Sequence, residues 1–162
     1  MFQAASLSTA SKPQFYRELV AQAQALLAGE HDRIANAANL AALAWQALPD
    51  INWAGFYFYD GHELVLGPFQ GKPACVRIDL ARGVCGAAAS QRQTQVVPDV
   101  HAFPGHIACD AASRSEIVVP LVRDGQLLGV WDVDSPVVGR FDDADRHGMQ
   151  ALCQVYLDSL AR

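Results

Sequence analysis

Cys109 stands in the run Pro104-Gly105-His106-Ile107-Ala108-Cys109-Asp110, just upstream of Ser113-Arg114-Ser115-Glu116-Ile117. A thiol with a histidine three residues before it and a carboxylate directly after it is equipped for nucleophilic chemistry. Those neighbours can tune a thiolate or pass a proton to whatever it attacks, and Gly105 lets the backbone approach closely. Three more cysteines compete with it. Cys85 follows Gly83-Val84 and opens the alanine-rich run to Ser90, so it falls at a predicted helix N-terminus, where the dipole favours a thiolate. Cys75 follows Gly71-Lys72-Pro73-Ala74. It reads either as a thiol on a loop able to swing toward another sulfur or as a buried strand residue. Cys153, beside Leu152 and within reach of Met149, reads as a small buried hydrophobe.

His101, His106 and Cys109 with Cys75 or Cys85 would make a nitrogen and sulfur ligand set, but no CxxC or HxxxH pair occurs. Zinc sites are usually built from such close pairs, so no metal is expected. His31, His62 and His147 are isolated and read as surface residues.

The chain has 162 residues, 51% of them apolar, enough for one domain with a real core. Residues 1–11 are expected to be a tail and 12–162 a single domain. The net charge of −5 is spread without blocks, which gives no footprint for nucleic acid or an anionic membrane. Met1 to Ala10 lacks the basic and apolar regions of a signal peptide, and no stretch is apolar for a bilayer's thickness. A cytoplasmic protein is expected, in which four cysteines do not make a structural disulfide framework.

The elements that must position these groups follow from periodicity. Ser11 and Pro13 open a helix with Phe15, Leu19, Ala23 and Leu26 on one face, ending at Gly29. A second helix runs from Asp32 to about Leu48 with Ile34, Ala37, Leu40, Leu43 and Trp45 as its apolar positions. Ile51 to Tyr59 and Glu63 to Leu66 form a hairpin about Asp60-Gly61, and Val76 to Leu80 is a short strand. Ile117 to Val122 and Leu127 to Val133 form another hairpin about Asp124-Gly125. Phe141 to Leu160 is a C-terminal helix with Asp142, Asp143 and Asp145 favourable in its first turn. The long stretch from Pro98 to Ser115 has little periodicity, and such loops in compact domains are usually functional. The fold class is α+β, with a central, mostly antiparallel sheet flanked by the N-terminal helices and the C-terminal helix.

Strand alternation places Trp53 and Tyr57 on one face, and Asp132 and Asp134 on one face. Whether Glu116 joins the aspartates depends on the turn. A two-residue Asp124-Gly125 turn sets Glu116 opposite Val133, pointing away. A type I turn over Arg123-Asp124-Gly125, with Gly125 left-handed as a G1 bulge, pairs Val122 with Gln126 and sets Glu116 opposite Asp132. We favour the bulge, which gathers three carboxylates near the Cys109 loop. Crowded in a partly dry site, they raise one another's proton affinity, so one can serve as an acid near neutrality. A solvated sheet edge carrying three surface acids is the alternative.

Gly71-Lys72-Pro73-Ala74-Cys75, Gly83-Val84-Cys85-Gly86, Val97 to Asp110 and Ser115-Glu116-Ile117-Val118-Val119-Pro120 closely resemble the free methionine-(R)-sulfoxide reductases, which are GAF-domain enzymes. Asn52 to Tyr57 and Leu128 to Ser135 extend the resemblance over nearly the whole chain. It implies a GAF-like fold and reduction of free methionine sulfoxide with no cofactor. In that reading Cys109 is the nucleophile and Cys75 the resolving thiol, Cys85 contributes to exchange, and thioredoxin is the external reductant. Glu116 and Asp134 would stand beside the sulfoxide, Asp132 near the substrate ammonium, and Trp53 and Tyr57 at its methyl end. Backbone amides from Gly105 to Cys109 are expected to take the substrate carboxylate, because no arginine partner is evident. A homodimer fits such a fold. A GAF small-molecule sensor and a thiol redox switch are the competing classes.

Overall fold

The Ser11 side chain accepts a hydrogen bond from Gln14 N and caps α1 (Lys12–Leu27), and Asp32 caps α2 (Arg33–Ala47) through Ile34 N and Ala35 N. This computed structural model describes residues 1–106 and 109–161. The buried stripe of α1 is Tyr16, Leu19, Ala23 and Leu27, displaced by one position at each end from the expected Phe15 and Leu26. On α2, Ile34 and Trp45 are exposed, while Asn36, Ala41 and Ala44 are buried. Small residues let α2 lie close to its neighbours, and Leu40 and Leu43 are buried with them as expected, while Ile34 and Trp45 face outward.

The strands are β1 (Trp53–Tyr59), β2 (Leu64–Gly71), β3 (Arg77–Ile78), β4 (Gln95–Val97), β5 (Ser115–Arg123) and β6 (Gln126–Ser135). They form one sheet in the order β3-β2-β1-β6-β5-β4 with every recorded pair antiparallel. The β2 strand runs farther than expected, and β4, too short to show a period, was not anticipated. Between them lies α3 (Gly83–Gln91), and α4 (Asp143–Ser159) closes the chain.

Alternation splits the sheet into two unlike faces. Ala54, Phe56, Ile117, Val119, Leu121, Trp131 and Val133 pack against α1, α2 and α4, with Cys153 buried among them as expected. Trp53, Tyr57, Val118 and Val130 face the other way, toward Val84, Cys85 and Ala88 of α3.

The β5–β6 hairpin corrects the expected turn. Arg123 pairs with Gln126 across a two-residue turn in which Asp124 (φ 51°) and Gly125 (φ 77°) are both left-handed, the backbone a type I′ turn requires. That turn alone would have turned Glu116 away from the aspartates. A bulge at Leu128 undoes it, because Val122 pairs with Leu127 while Leu121 pairs with Gly129. One extra residue on β6 restores the parity. Glu116 therefore faces Asp134, and Val118 faces Asp132.

Candidate active site

Across the β1–β6 ladder, Trp53 pairs with Asp134 and Gly55 with Asp132, so aromatics and acids line the α3 face together. Gly55 is needed there: a Cβ would lie 2.3 Å from Phe69 Cβ and 2.8 Å from Trp53 Cη2. Its absence lets Trp53 stack between Phe69 and Tyr57, with ring centroids 5.2 and 5.7 Å away. Trp53 Nε1 donates to Lys72 O at 3.1 Å and Tyr57 Oη to Cys75 O at 3.0 Å. The wall of aromatics thus holds the loop that carries Cys75.

Cys75 and Cys109 are joined in a disulfide, with their Cα atoms 5.9 Å apart. Cys109 is exposed and Cys75 partly so. The segment after Cys109 is pinned to the sheet. Asn52 Nδ2 donates to Asp110 Oδ2 at 3.1 Å and to Ser113 Oγ at 3.0 Å, and Asn52 N donates to Asp134 O at 2.9 Å. Asn52 opens the Asn52 to Tyr57 motif block, and nothing in its spacing marks it as a bracket between loop and strand.

A pocket opens between these walls, lined by Trp53, Tyr57, Cys85, His106, Cys109, Glu116, Asp132 and Asp134 among others. The aromatics, acids and cysteines expected at the site all line it except Cys75, which is bonded to one that does. Lys72 and Arg82 also line it, and Arg82 corrects the expectation that no arginine partner is evident. They lie in separate loops that only folding brings to one mouth. The α3 N-terminus has no side-chain cap, and Gly83 and Val84 line the same pocket, so the helix dipole adds partial positive charge. The amides expected to take the carboxylate include those of Ile107 and Ala108, which lie outside the described residues.

Glu116 and Asp132 are 7% and 6% exposed, so the solvated-edge alternative does not hold. Burial pushes the Glu116 carboxyl well above the usual range, and Asp132 and Asp134 push it further. Burial, then Asp132, raises Asp134 in the same way. Asp132 is also raised by burial, to about 6, because hydrogen bonds with Glu116 and Cys85 hold it lower. The three sites therefore share protons at neutral pH, and Asp132 is the most acidic. His106 Nε2 lies 3.8 Å from Glu116 Oε2. Burial and His101 lower its pKa, so it stays neutral and supplies no counter-charge.

Cys85 does sit in the first turn of α3, but the dipole does not make it a thiolate. Burial pushes its thiol well up, and Asp132, Glu116 and Asp134 add to this. The protonated thiol donates to Asp132 Oδ2 at 3.3 Å. Burial and the three acids oppose the thiolate that the helix dipole favours at Cys85.

A profile described as GAF domain matches residues 16–156. A protein of Escherichia coli named free methionine-R-sulfoxide reductase is 56% identical over 142 residues, covering 88% of this chain and 86% of the relative. One of the same name from Saccharomyces cerevisiae is 43% identical over 156 residues, covering 91% and 87%. The X-ray structure of free methionine-R-sulfoxide reductase from Neisseria meningitidis in complex with its substrate superposes with a TM-score of 0.93 at 45% identity, over 98% of this chain and 95% of that one. The fold and the pocket on its sheet define a GAF domain. The chain belongs to the GAF-domain family and, within it, to the free methionine-R-sulfoxide reductases. No helix among the described residues is long and apolar enough to cross a membrane.

Proposed function

We propose that this chain reduces free L-methionine (R)-S-oxide to L-methionine in the cytoplasm, with residues 12–162 as one catalytic domain. Cys109 is the nucleophile, Cys75 the resolving thiol and thioredoxin the reductant. The observation that carries the reading is the Cys75–Cys109 disulfide at the rim of a pocket whose wall holds the buried carboxylates Glu116 and Asp132 and the half-buried Asp134.

A sulfoxide sulfur accepts a nucleophile once its oxygen is protonated. Glu116, kept protonated by burial, is the donor, and Asp134 is its partner at the same oxygen. The Cys109 thiolate attacks the sulfur, and the S–O oxygen passes to Cys109 as methionine leaves. The substrate sulfur gains two electrons and Cys109 loses two, becoming a sulfenic acid. The Cys75 thiolate then displaces water to close the disulfide, and a thioredoxin dithiol exchanges to reopen it. Asp132, the first of the three acids to ionise, faces the substrate ammonium. Lys72, Arg82 and the α3 N-terminus supply the positive side for the carboxylate. Trp53 and Tyr57 present π faces to the polarised methyl. A pocket that pairs both charged ends leaves a peptide chain no exit.

The test supplies the R sulfoxide, the S sulfoxide and an N-blocked R sulfoxide with a thioredoxin regenerating system. Consumption of the free R form alone is expected, and equal turnover of the blocked compound would remove the closed-pocket argument. Cys109→Ser should abolish even a single turnover, whereas Cys75→Ser should release about one methionine per site and stall. Saturable binding without consumption would move the chain to the sensor class.

A further inference from the structure

We propose that Cys85, Asp132 and Glu116 form a site for a thiophilic divalent cation of the zinc type in the wall of the pocket. Among the described residues these three offer one ligand atom each, all buried and all within 4.8 Å of one another. Zinc bonded to sulfur at about 2.3 Å and to oxygen at about 2.0 Å in a tetrahedron sets those ligands about 3.5 Å apart. Cys85 Sγ lies 3.3 Å from Asp132 Oδ2 and 3.9 Å from Glu116 Oε1, which brackets that edge.

A second observation points to a ligand independently. Asp132 is 6% exposed, yet its Oδ1 is buried without a hydrogen-bond partner in the pocket wall. An oxygen so placed lacks a positive group, and cost is relieved when one arrives. Sulfur with two carboxylates suits zinc better than magnesium or calcium, which take oxygen alone, and solvent can complete the tetrahedron. An ammonium can satisfy the carboxylates but makes no use of the thiol. On binding, Cys85 releases its proton to solvent and forms a sulfur–metal bond, with no electron transferred. Cys75 and Cys109 are already bonded to each other, so the ion is held by the disulfide form without them.

The test uses the full oxidised chain, with cobalt(II) as a spectroscopic probe and zinc(II) by calorimetry. One ion per chain is expected, with a thiolate-to-cobalt charge-transfer band that zinc removes. Cys85→Ser should lose the band and weaken zinc binding at least tenfold. Asp132→Asn should weaken it similarly and keep the band. Sub-stoichiometric binding, or a band intact in folded Cys85→Ser, overturns the proposal. Should a variant fail to fold, the wild-type spectrum decides. The oxidised chain has two free thiols, and Cys153 lies in the core on the other face of the sheet, so no band means no site. Occupancy rather than turnover is read, so this outcome is separate from that of the reductase reading.

Discussion

Two groups of buried carboxylates sit on opposite sides of the sheet and are treated in opposite ways. Asp145, 1% exposed, accepts from Tyr16 Oη, Arg140 Nη1, Lys12 Nζ and Asp142 N. Its two oxygens are fully engaged, and two cations face it. Among the described residues Glu116, Asp132 and Asp134 make no ion pair with a lysine or arginine, although Lys72 and Arg82 line the same pocket, and Asp132 and Asp134 each leave a buried oxygen without a partner. The first arrangement closes the α1–α4 junction through the capping box of Asp142 and Asp145. The second leaves capacity for a positively charged or proton-accepting ligand. A buried acid whose partners are all supplied by the fold serves structure, and one whose partners are withheld waits for a ligand.

The sharpest way to break this contrast is Glu116→Gln. Losing the proton donor should lower kcat/KM for the free R sulfoxide about 10²–10³-fold, while the melting temperature holds or rises because a crowded acid has been neutralised. An equal loss of stability would place Glu116 with Asp145. Asp145→Asn should do the reverse. Breaking one partner of a buried ion pair costs about 3 kcal/mol, read by urea unfolding, with activity per folded molecule unchanged.

The pH dependence of stability should also differ in sign. Asp132, raised to about 6 by burial, contributes stability below the ordinary aspartate range that is lost as the pH rises through 6. At Asp142 burial pushes upward, but hydrogen bonds from Lys12 and Asp145 outweigh it and hold the carboxyl at about 2. Its contribution is present above the ordinary range and lost as the pH falls through 2. Urea titrations from pH 4 to 7 should therefore show a decline that Asp132→Asn flattens; an unchanged slope would remove Asp132 as its source. The smallest effect is expected from Lys12→Met, whose side chain is 39% exposed. Solvent screening limits its loss to about 0.5 kcal/mol, and a loss as large as that of Asp145→Asn would mean that Lys12, not Arg140, carries the pairing.

The contrast was only half legible in the sequence. Alternation placed Asp132 beside Asp134 and Trp53 beside Tyr57, because a period of two survives any register. The register itself was not legible: the expected G1 bulge at Gly125 is a two-residue turn, and the compensating bulge at Leu128 has no marker in residue type. Parity, which decides the face of Glu116, came out the same although its cause and its partner differed. Cys85 was placed in its helix correctly but given the wrong charge state, since the dipole is local in sequence and the opposing acids are 31 and 47 residues away. Lys72 and Arg82 were missed at the pocket for the same reason.

The hydrogen bonds from Trp53 and Tyr57 to the Lys72 and Cys75 carbonyls have a kinetic consequence for the proposed cycle. They involve no sulfur, so opening the disulfide breaks neither of them directly, and in the proposed cycle they would keep Cys75 near its partner at high effective concentration. A sulfenic acid on Cys109 is then captured quickly, before a second oxidant can carry it to the irreversible sulfinic state. In the proposed cycle the aromatic wall assigned to the substrate's methyl would thus also protect the enzyme against over-oxidation.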